Sequence, residues 1–153
     1  MNEELSQQAA VPRTESHEAA QRRFYGVLAA LPCWIVLLMA AMLHPQEGGL
    51  GTHEQLGLPG CSWLAETGRP CPSCGLTTSM AAMAHGRPGL ALRAHAFGIV
   101  LFAASVLLAT AGTLQAISGR DWLRPLHLGV AWIVVAVAGL LAGWGWKLWT
   151  WPN

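Results

Sequence analysis

The feature that most constrains this chain is a set of three long runs without Asp, Glu, Lys or Arg. They cover residues 24–43, 96–119 and 126–146. A helix rises 1.5 Å per residue, so a run of about 20 residues matches the ~30 Å hydrocarbon core of a bilayer. The first run is also too long for the apolar region of a cleavable signal peptide, which has roughly 7–15 residues. The runs therefore predict three uncleaved transmembrane helices.

The composition agrees with a membrane protein and argues against nucleic-acid binding. Hydrophobic residues make up 53% of the chain and charged residues 11%, whereas soluble domains have about 25% charged residues. So few charges cannot cover a water-facing surface, and we expect the lipid bilayer to be the main surrounding. The net charge of +1 and the lack of a basic cluster argue against a nucleic-acid footprint.

The segments outside these runs complete the predicted domain organisation. Residues 1–21 are polar and are expected to form a flexible N-terminal tail, followed by one membrane domain over residues 22–151. A Gly- and Pro-rich loop covers residues 44–75, called the Cys loop below. Residues 76–84 favour a helix that is too short to span. The predicted fold is an all-α membrane protein with three spans and one short interfacial or re-entrant helix.

Two further helix starts are predicted at prolines. Pro88 suits the first turn of a helix that continues through His95 into the second span. Pro125 opens the third helix, with His127 near its start. By this count no span contains a charged residue, so the chain lacks the main sequence signal of a transporter or channel.

The positive residues give a prediction for orientation. The side of the N-terminus holds Arg13, Arg22, Arg23, Arg120 and Arg124. The opposite side holds Arg87, Arg93 and Lys147, and also Arg69, which is far from both flanking spans. Positive residues concentrate on the cytoplasmic side. We therefore expect a cytoplasmic N-terminus and an external Cys loop.

The chemistry of the chain is concentrated in Cys71-Pro72-Ser73-Cys74. Two thiols at positions i and i+3 are close enough to react with each other or to share a metal ion. If Cys71 is the N-cap of a helix that begins at Pro72, the positive helix terminus favours its thiolate. Cys74 would then be the resolving thiol of a redox pair. The usual βαβ context of such a pair is missing, because the sequence predicts no strands.

A metal site and a structural disulfide are the two other interpretations of these cysteines. Cys61, Cys71 and Cys74 can supply three of the four ligands of a zinc ion, with His53 or His85 as the fourth. Alternatively, Cys61 and one cysteine of the pair form a disulfide that fixes the loop in an oxidising compartment. Both alternatives stay open at this point.

The remaining cysteine and a glycine pair have simpler interpretations. Cys33 lies inside the first span and is expected to be a packing residue. Gly139 and Gly143 form a Gly-x-x-x-Gly pair, which permits a close helix contact with a second copy or another membrane protein.

Residues 45–118 resemble the bacterial membrane family DUF2752. The resemblance rests on Cys71, Pro72, Cys74, Gly75 and Thr77, followed by His85-Gly86 and a downstream span. This chain has Thr78 where the common pattern has Arg, and His95-Ala96 where it has Asn-Pro. The family has no assigned activity, so the resemblance implies a bacterial membrane location and a thiol motif.

These observations predict a small multi-pass protein of the bacterial inner membrane. Its Cys loop would be a structural or partner-binding site, stabilised by a disulfide or a zinc ion. The alternative is a membrane thiol–disulfide oxidoreductase that uses Cys71 and Cys74. The sequence does not decide whether the protein is an enzyme, and it favours the non-enzymatic function.

Overall fold

The computed structural model describes residues 2–124 and 130–150, with side chains for residues 17–124 and 132–150. All regular elements in these ranges are helices, as predicted. In chain order they are α1 (Asn2–Met42), a 3₁₀ helix (Thr52–Leu56), α2 (Ser62–Thr67), α3 (Leu76–Ala84), α4 (Pro88–Ala94), α5 (Ala96–Ser118) and α6 (Val130–Thr150).

Three of these helices are long and apolar enough to cross a membrane. The candidate spans are His17–Met42 in α1, Ala96–Ser118 in α5 and Trp132–Thr150 in α6. The prediction of three spans is confirmed. The backbone of α1 is already helical from Asn2, because the polar N-terminal segment is rich in the helix formers Glu, Gln and Ala. The domain boundary at residue 21 stays a prediction.

The third span ends later than the sequence predicted. Helix α6 continues to Thr150, so Lys147 lies inside it and is only 4% exposed. The prediction that no span carries a charged residue is therefore wrong: the candidate span in α1 contains Glu18, Arg22 and Arg23, and the span in α6 contains Lys147. For Lys147 the physical reason is that two backbone carbonyls accept hydrogen bonds from its ammonium group, so that the charge does not end the helix. The expected helix start at Pro125 and His127 lie outside the described residues.

The chain divides into two compact units, of which the first comprises Met1–Trp34 and Leu107–His127. In this unit Gly26 and Gly112 permit a close contact between α1 and α5. A Cβ at Gly26 would lie 2.7 Å from the Gly112 carbonyl oxygen. The Trp34 indole donates a hydrogen bond to Thr113 Oγ1 over 3.1 Å. Small residues at the contact and a polar bond across it are typical of helix packing in membranes.

The second unit comprises Ile35–Val106 and Leu128–Asn153 and contains the Cys loop. Helix α3 has the predicted bounds and packs on α4 through Ala82, Leu90 and Ala91. The small alanine side chains let the two short helices approach closely. The pair forms a compact support beside the Cys loop.

The predicted continuous helix from Pro88 into the second span is interrupted at His95. Helix α4 ends at Ala94, His95 has extended backbone (φ −168°, ψ 111°), and α5 begins at Ala96. Its imidazole is 1% exposed and hydrogen-bonds the Pro72 carbonyl. Because the backbone is extended at His95, its side chain turns into the protein and reaches the Cys loop.

Candidate functional site

Gly75 connects the cysteine motif to α3. The Cys74 amide donates to the Cys71 carbonyl over 3.0 Å, which closes a turn, and Gly75 follows in the left-handed conformation (φ 85°) as the N-cap of α3. A Cβ at Gly75 would collide with the Ala94 carbonyl oxygen and would lie 2.5 Å from Lys147 Nζ. Glycine is thus required both by the backbone conformation and by the space.

This turn corrects the prediction that Cys71 caps a helix. Helix α3 begins at Leu76, so both cysteines of the motif precede it. Pro72 suits a first helical turn, but the left-handed Gly75 sets the start of the helix after the motif. Cys71 is therefore not at the positive end of a helix that would favour its thiolate, and Cys74 does not lie one turn inside a helix.

Three cysteines of the Cys loop come together. The Sγ atoms of Cys61, Cys71 and Cys74 lie within 4.8 Å of one another, and the Cys71 and Cys74 Sγ atoms are 2.9 Å apart. Cys74 is buried, and the other two are partly exposed. The three thiols could bind a metal ion.

A cavity of about 650 Å³ opens over the three thiols. His53, one of the two predicted fourth ligands, lines this cavity but is not part of the close cysteine cluster. His85, the other, does not line it, and its Nδ1 pairs with the Ala81 carbonyl over 2.8 Å. The other lining residues are Gln46, Leu50, Gly51, Glu54, Leu64, Ser73, Gly75, Leu76, Thr77 and Thr78.

The two thiols of the motif differ in acidity. Burial tends to raise the pKa of Cys71, but hydrogen bonds with the Cys74 thiol and with the Ser73 side chain and amide outweigh it and lower this pKa to about 7. Burial and the hydrogen bond with Cys71 raise the pKa of Cys74 to about 12. Near neutral pH Cys71 is therefore partly deprotonated, whereas the buried Cys74 keeps its proton.

Three side chains, two from α6 and one from the junction between α4 and α5, bind alternate carbonyls of the motif segment. Trp144 Nε1 donates to the Pro70 carbonyl over 2.8 Å, and His95 Nε2 lies 3.0 Å from the Pro72 carbonyl. Lys147 Nζ donates to the Cys74 carbonyl over 2.9 Å. We call these three residues the carbonyl anchor. It fixes the position of the motif through its backbone.

His95 is a neutral donor in this anchor. Its Nε2 must carry the proton because a carbonyl only accepts, and its Nδ1 is buried without a partner in the structure. Burial, with Lys147 nearby, lowers the pKa of His95. Gly143 makes room for the ring, since a Cβ there would lie 2.7 Å from His95 Cε1.

The glycine pair of α6 thus has contacts within the chain. A Cβ at Gly139 would lie 2.5 Å from Phe97 Cε2, and Gly143 faces His95 and Phe97. The close approach predicted for this pair is made to Phe97 in the first turn of α5 and to His95 just before it. Self-association through the pair stays a prediction.

The sequence did not identify the carbonyl anchor. The sequence indicated Lys147 only as a flanking charge. One signal was present for Lys147: the sequence stays apolar after it, with Leu148 and Trp149, so the charge lies inside an apolar segment. His95 was noted only as a departure from the common pattern of the DUF2752 family.

The comparisons with known proteins add one match. The chain matches no curated protein and no solved structure. One segment of the chain, residues 61–109, does match a known protein family. It contains the three clustered cysteines, α2, α3, α4 and the first part of α5, in agreement with the resemblance inferred from the motif. Residues 61–109 match the family DUF2752, which is described as a protein of unknown function.

Proposed function

We propose that this is a small multi-pass membrane protein whose Cys loop holds one thiophilic divalent ion, such as Zn²⁺, through Cys61, Cys71 and Cys74. The convergence of three thiols within 4.8 Å carries the proposal. A structural disulfide uses two sulfurs and leaves the third without a role. A metal ion uses all three.

The distances are compatible with a small adjustment on metal binding. Zn–S bonds are about 2.3 Å, so sulfurs around a tetrahedral zinc are ~3.8 Å apart. Cys71 and Cys74 need to separate by roughly 1 Å from their present 2.9 Å. The Ser73 amide, which hydrogen-bonds the Cys71 sulfur, supports a thiolate there. Since the carbonyl anchor already holds the backbone of the motif, the adjustment requires only side-chain rotation.

The ion would have a structural role, joining α2 to the cysteine motif. Cys61 is the N-cap of α2, whereas Cys71 and Cys74 lie in the turn before α3. A fourth ligand would come from the cavity, which His53 lines, or from a partner protein.

The location and orientation belong to the same proposal. We place the protein in the bacterial inner membrane with a cytoplasmic N-terminus. The loop side holds Arg87, Arg93 and Lys147, of which Lys147 lies in the last turn of α6. The five arginines predicted for the N-terminal side outnumber them, which supports this orientation.

Metal analysis of the purified full-length protein tests the proposal. We expect about one zinc per chain, lost in Cys61→Ser, Cys71→Ser and Cys74→Ser, and retained in the matched control Cys33→Ser. A metal-free protein in which two thiols are missing from a quantitative titration would contradict the metal site and support a disulfide.

A second candidate function is thiol–disulfide exchange, favoured by the unequal acidity of the motif thiols. The Cys71 thiolate would attack a disulfide of a partner protein and form a mixed disulfide, releasing one partner thiolate. Cys74 would lose its proton and attack the Cys71 sulfur, releasing the second partner thiol. Two electrons pass from the dithiol to the partner, and the Cys71–Cys74 disulfide remains.

Trapping separates this function from the structural one. In a redox pair, Cys74→Ala should accumulate a mixed disulfide between Cys71 and its partner, visible on non-reducing gels. Cys71→Ala should accumulate little, because Cys74 is buried. If neither variant forms an adduct and both lose stability alike, thiol exchange is contradicted.

A further inference from the structure

Lys147 is a buried cation inside a candidate membrane span, and it lies beside the thiol cluster. Its side chain is 4% exposed, and Nζ donates to the Cys74 carbonyl over 2.9 Å and to the Ala94 carbonyl over 2.6 Å. A charged residue that is buried within a candidate span is costly, and such residues often mark functional sites. The residue therefore requires an explanation beyond packing.

The described part of the chain offers Lys147 no acidic partner. The ion pairs found among the described side chains join Arg22 with Glu18 and Asp121, and Arg87 with Glu47. Carbonyl dipoles solvate the ammonium group but do not neutralise its charge. The thiols of Cys74 and Cys71 are the groups within its electrostatic range that can become negative.

We infer that Lys147 is the counter-charge of the cysteine cluster, which makes the site selective for thiophilic cations whose three-thiolate complex is anionic. This inference rests on the metal site proposed above. A divalent ion and three thiols give M(SR)₃⁻ and release three protons. The single negative charge of this complex is balanced by the single positive charge of Lys147.

The charge of the three-thiolate complex differs from one metal to another, and this difference provides a test of the inference. Ag⁺ with three thiolates carries two negative charges, and Cd²⁺ carries one. Arsenite carries none, because As(OH)₃ and three thiols give neutral As(SR)₃ and three waters. Loss of a nearby positive charge should therefore weaken the three complexes to different extents.

The experiment measures the affinities of Ag⁺, Cd²⁺ and arsenite for the full-length protein in detergent at pH 7, from the ultraviolet absorption of the sulfur–metal bonds. At a separation on the order of 6–8 Å between the ammonium group and the bound ion, and with an effective dielectric constant of about 20, one unit of charge on the complex corresponds to about a 30- to 100-fold change in affinity. Relative to arsenite, whose complex is neutral, Lys147→Met should weaken Cd²⁺ binding by about this factor and Ag⁺ binding by more, because each of these complexes carries one further negative charge.

Two variants control for structural damage. Lys147→Gln removes the charge but keeps an N–H donor for the carbonyls, and it should reproduce the charge-dependent series if Lys147→Met does not fold. Arg87→Gln removes an exposed positive charge, and it should change no affinity by more than about threefold because surface charges are screened.

The outcomes separate the inference from the proposed function. If the wild-type protein binds none of the three, the metal site itself is contradicted, and the inference with it. If the wild type binds all three but the Lys147 variants weaken them equally, arsenite included, Lys147 is only structural and the inference is overturned. Unchanged affinities in the variants would also overturn it.

Discussion

Replacing Gly75 by Ala should damage the site more than the same change at any other left-handed glycine of the Cys loop. An L-residue in the left-handed conformation costs about 1–2 kcal/mol. The added methyl also meets Lys147 Nζ at 2.5 Å and the Gly49 carbonyl oxygen at 2.8 Å. Crowding of this kind typically costs a further 1–3 kcal/mol or so. We therefore expect the free energy of unfolding to fall by about 2–5 kcal/mol.

Gly57→Ala is the matched control. Gly57 also has a positive φ (76°), but a Cβ there meets no atom within 4 Å. This variant should lose only the backbone contribution of about 1–2 kcal/mol. Both variants would be compared by SDS unfolding titration of the detergent-solubilised protein, followed by tryptophan circular dichroism, together with their zinc content. The close contact would be refuted if Gly75→Ala loses no more stability than Gly57→Ala.

Three other predictions concern orientation, thiol acidity and helix packing. A membrane-impermeant maleimide should label Cys61 in reduced, intact cells of a variant with Cys61 as its single cysteine, and labelling only after lysis would reverse the orientation. The rate of Cys71 alkylation by iodoacetamide in metal-free protein should rise with pH and level off above about 7, because the thiolate is the nucleophile. Ser73→Ala should move this profile to higher pH, and an unmoved profile would exclude the Ser73 hydroxyl as a cause of the lowered pKa of Cys71. Gly143→Ala should destabilise the protein by about 1–3 kcal/mol through contact with the buried imidazole, whereas Gly145→Ala, with nothing within 4 Å, should be neutral or stabilising in the same unfolding assay.

The sequence predicted those parts of the fold that local signals determine. Charge-free runs gave the three spans, because the cost of placing a charge in lipid acts on each segment separately. Residues 76–84 were predicted correctly as a helix, since left-handed glycines and helix breakers act within a few residues, whereas the alternative start at Pro72 was wrong.

The parts that failed depend on contacts between distant segments. The end of α6 was misplaced because a lysine is compatible with a span only when the protein supplies acceptors, and these come from Cys74 and Ala94. The break at His95 reflects a bond to Pro72 that no local pattern announces. The proximity of Cys61 to the motif pair was proposed from chemistry alone, and it depends on the fold of the whole loop.

The carbonyl anchor has a consequence for which positions tolerate substitution. Its donors bind main-chain oxygens, which every amino acid possesses, so the identity of the bound residue matters less than that of the donor. Pro70 and Pro72 have no amide hydrogen, so their carbonyls are the only backbone groups there that need a partner. In a saturation mutagenesis screen we expect a marked asymmetry. Trp144, His95 and Lys147 should accept almost no replacement, while the segment they hold should vary between its cysteines.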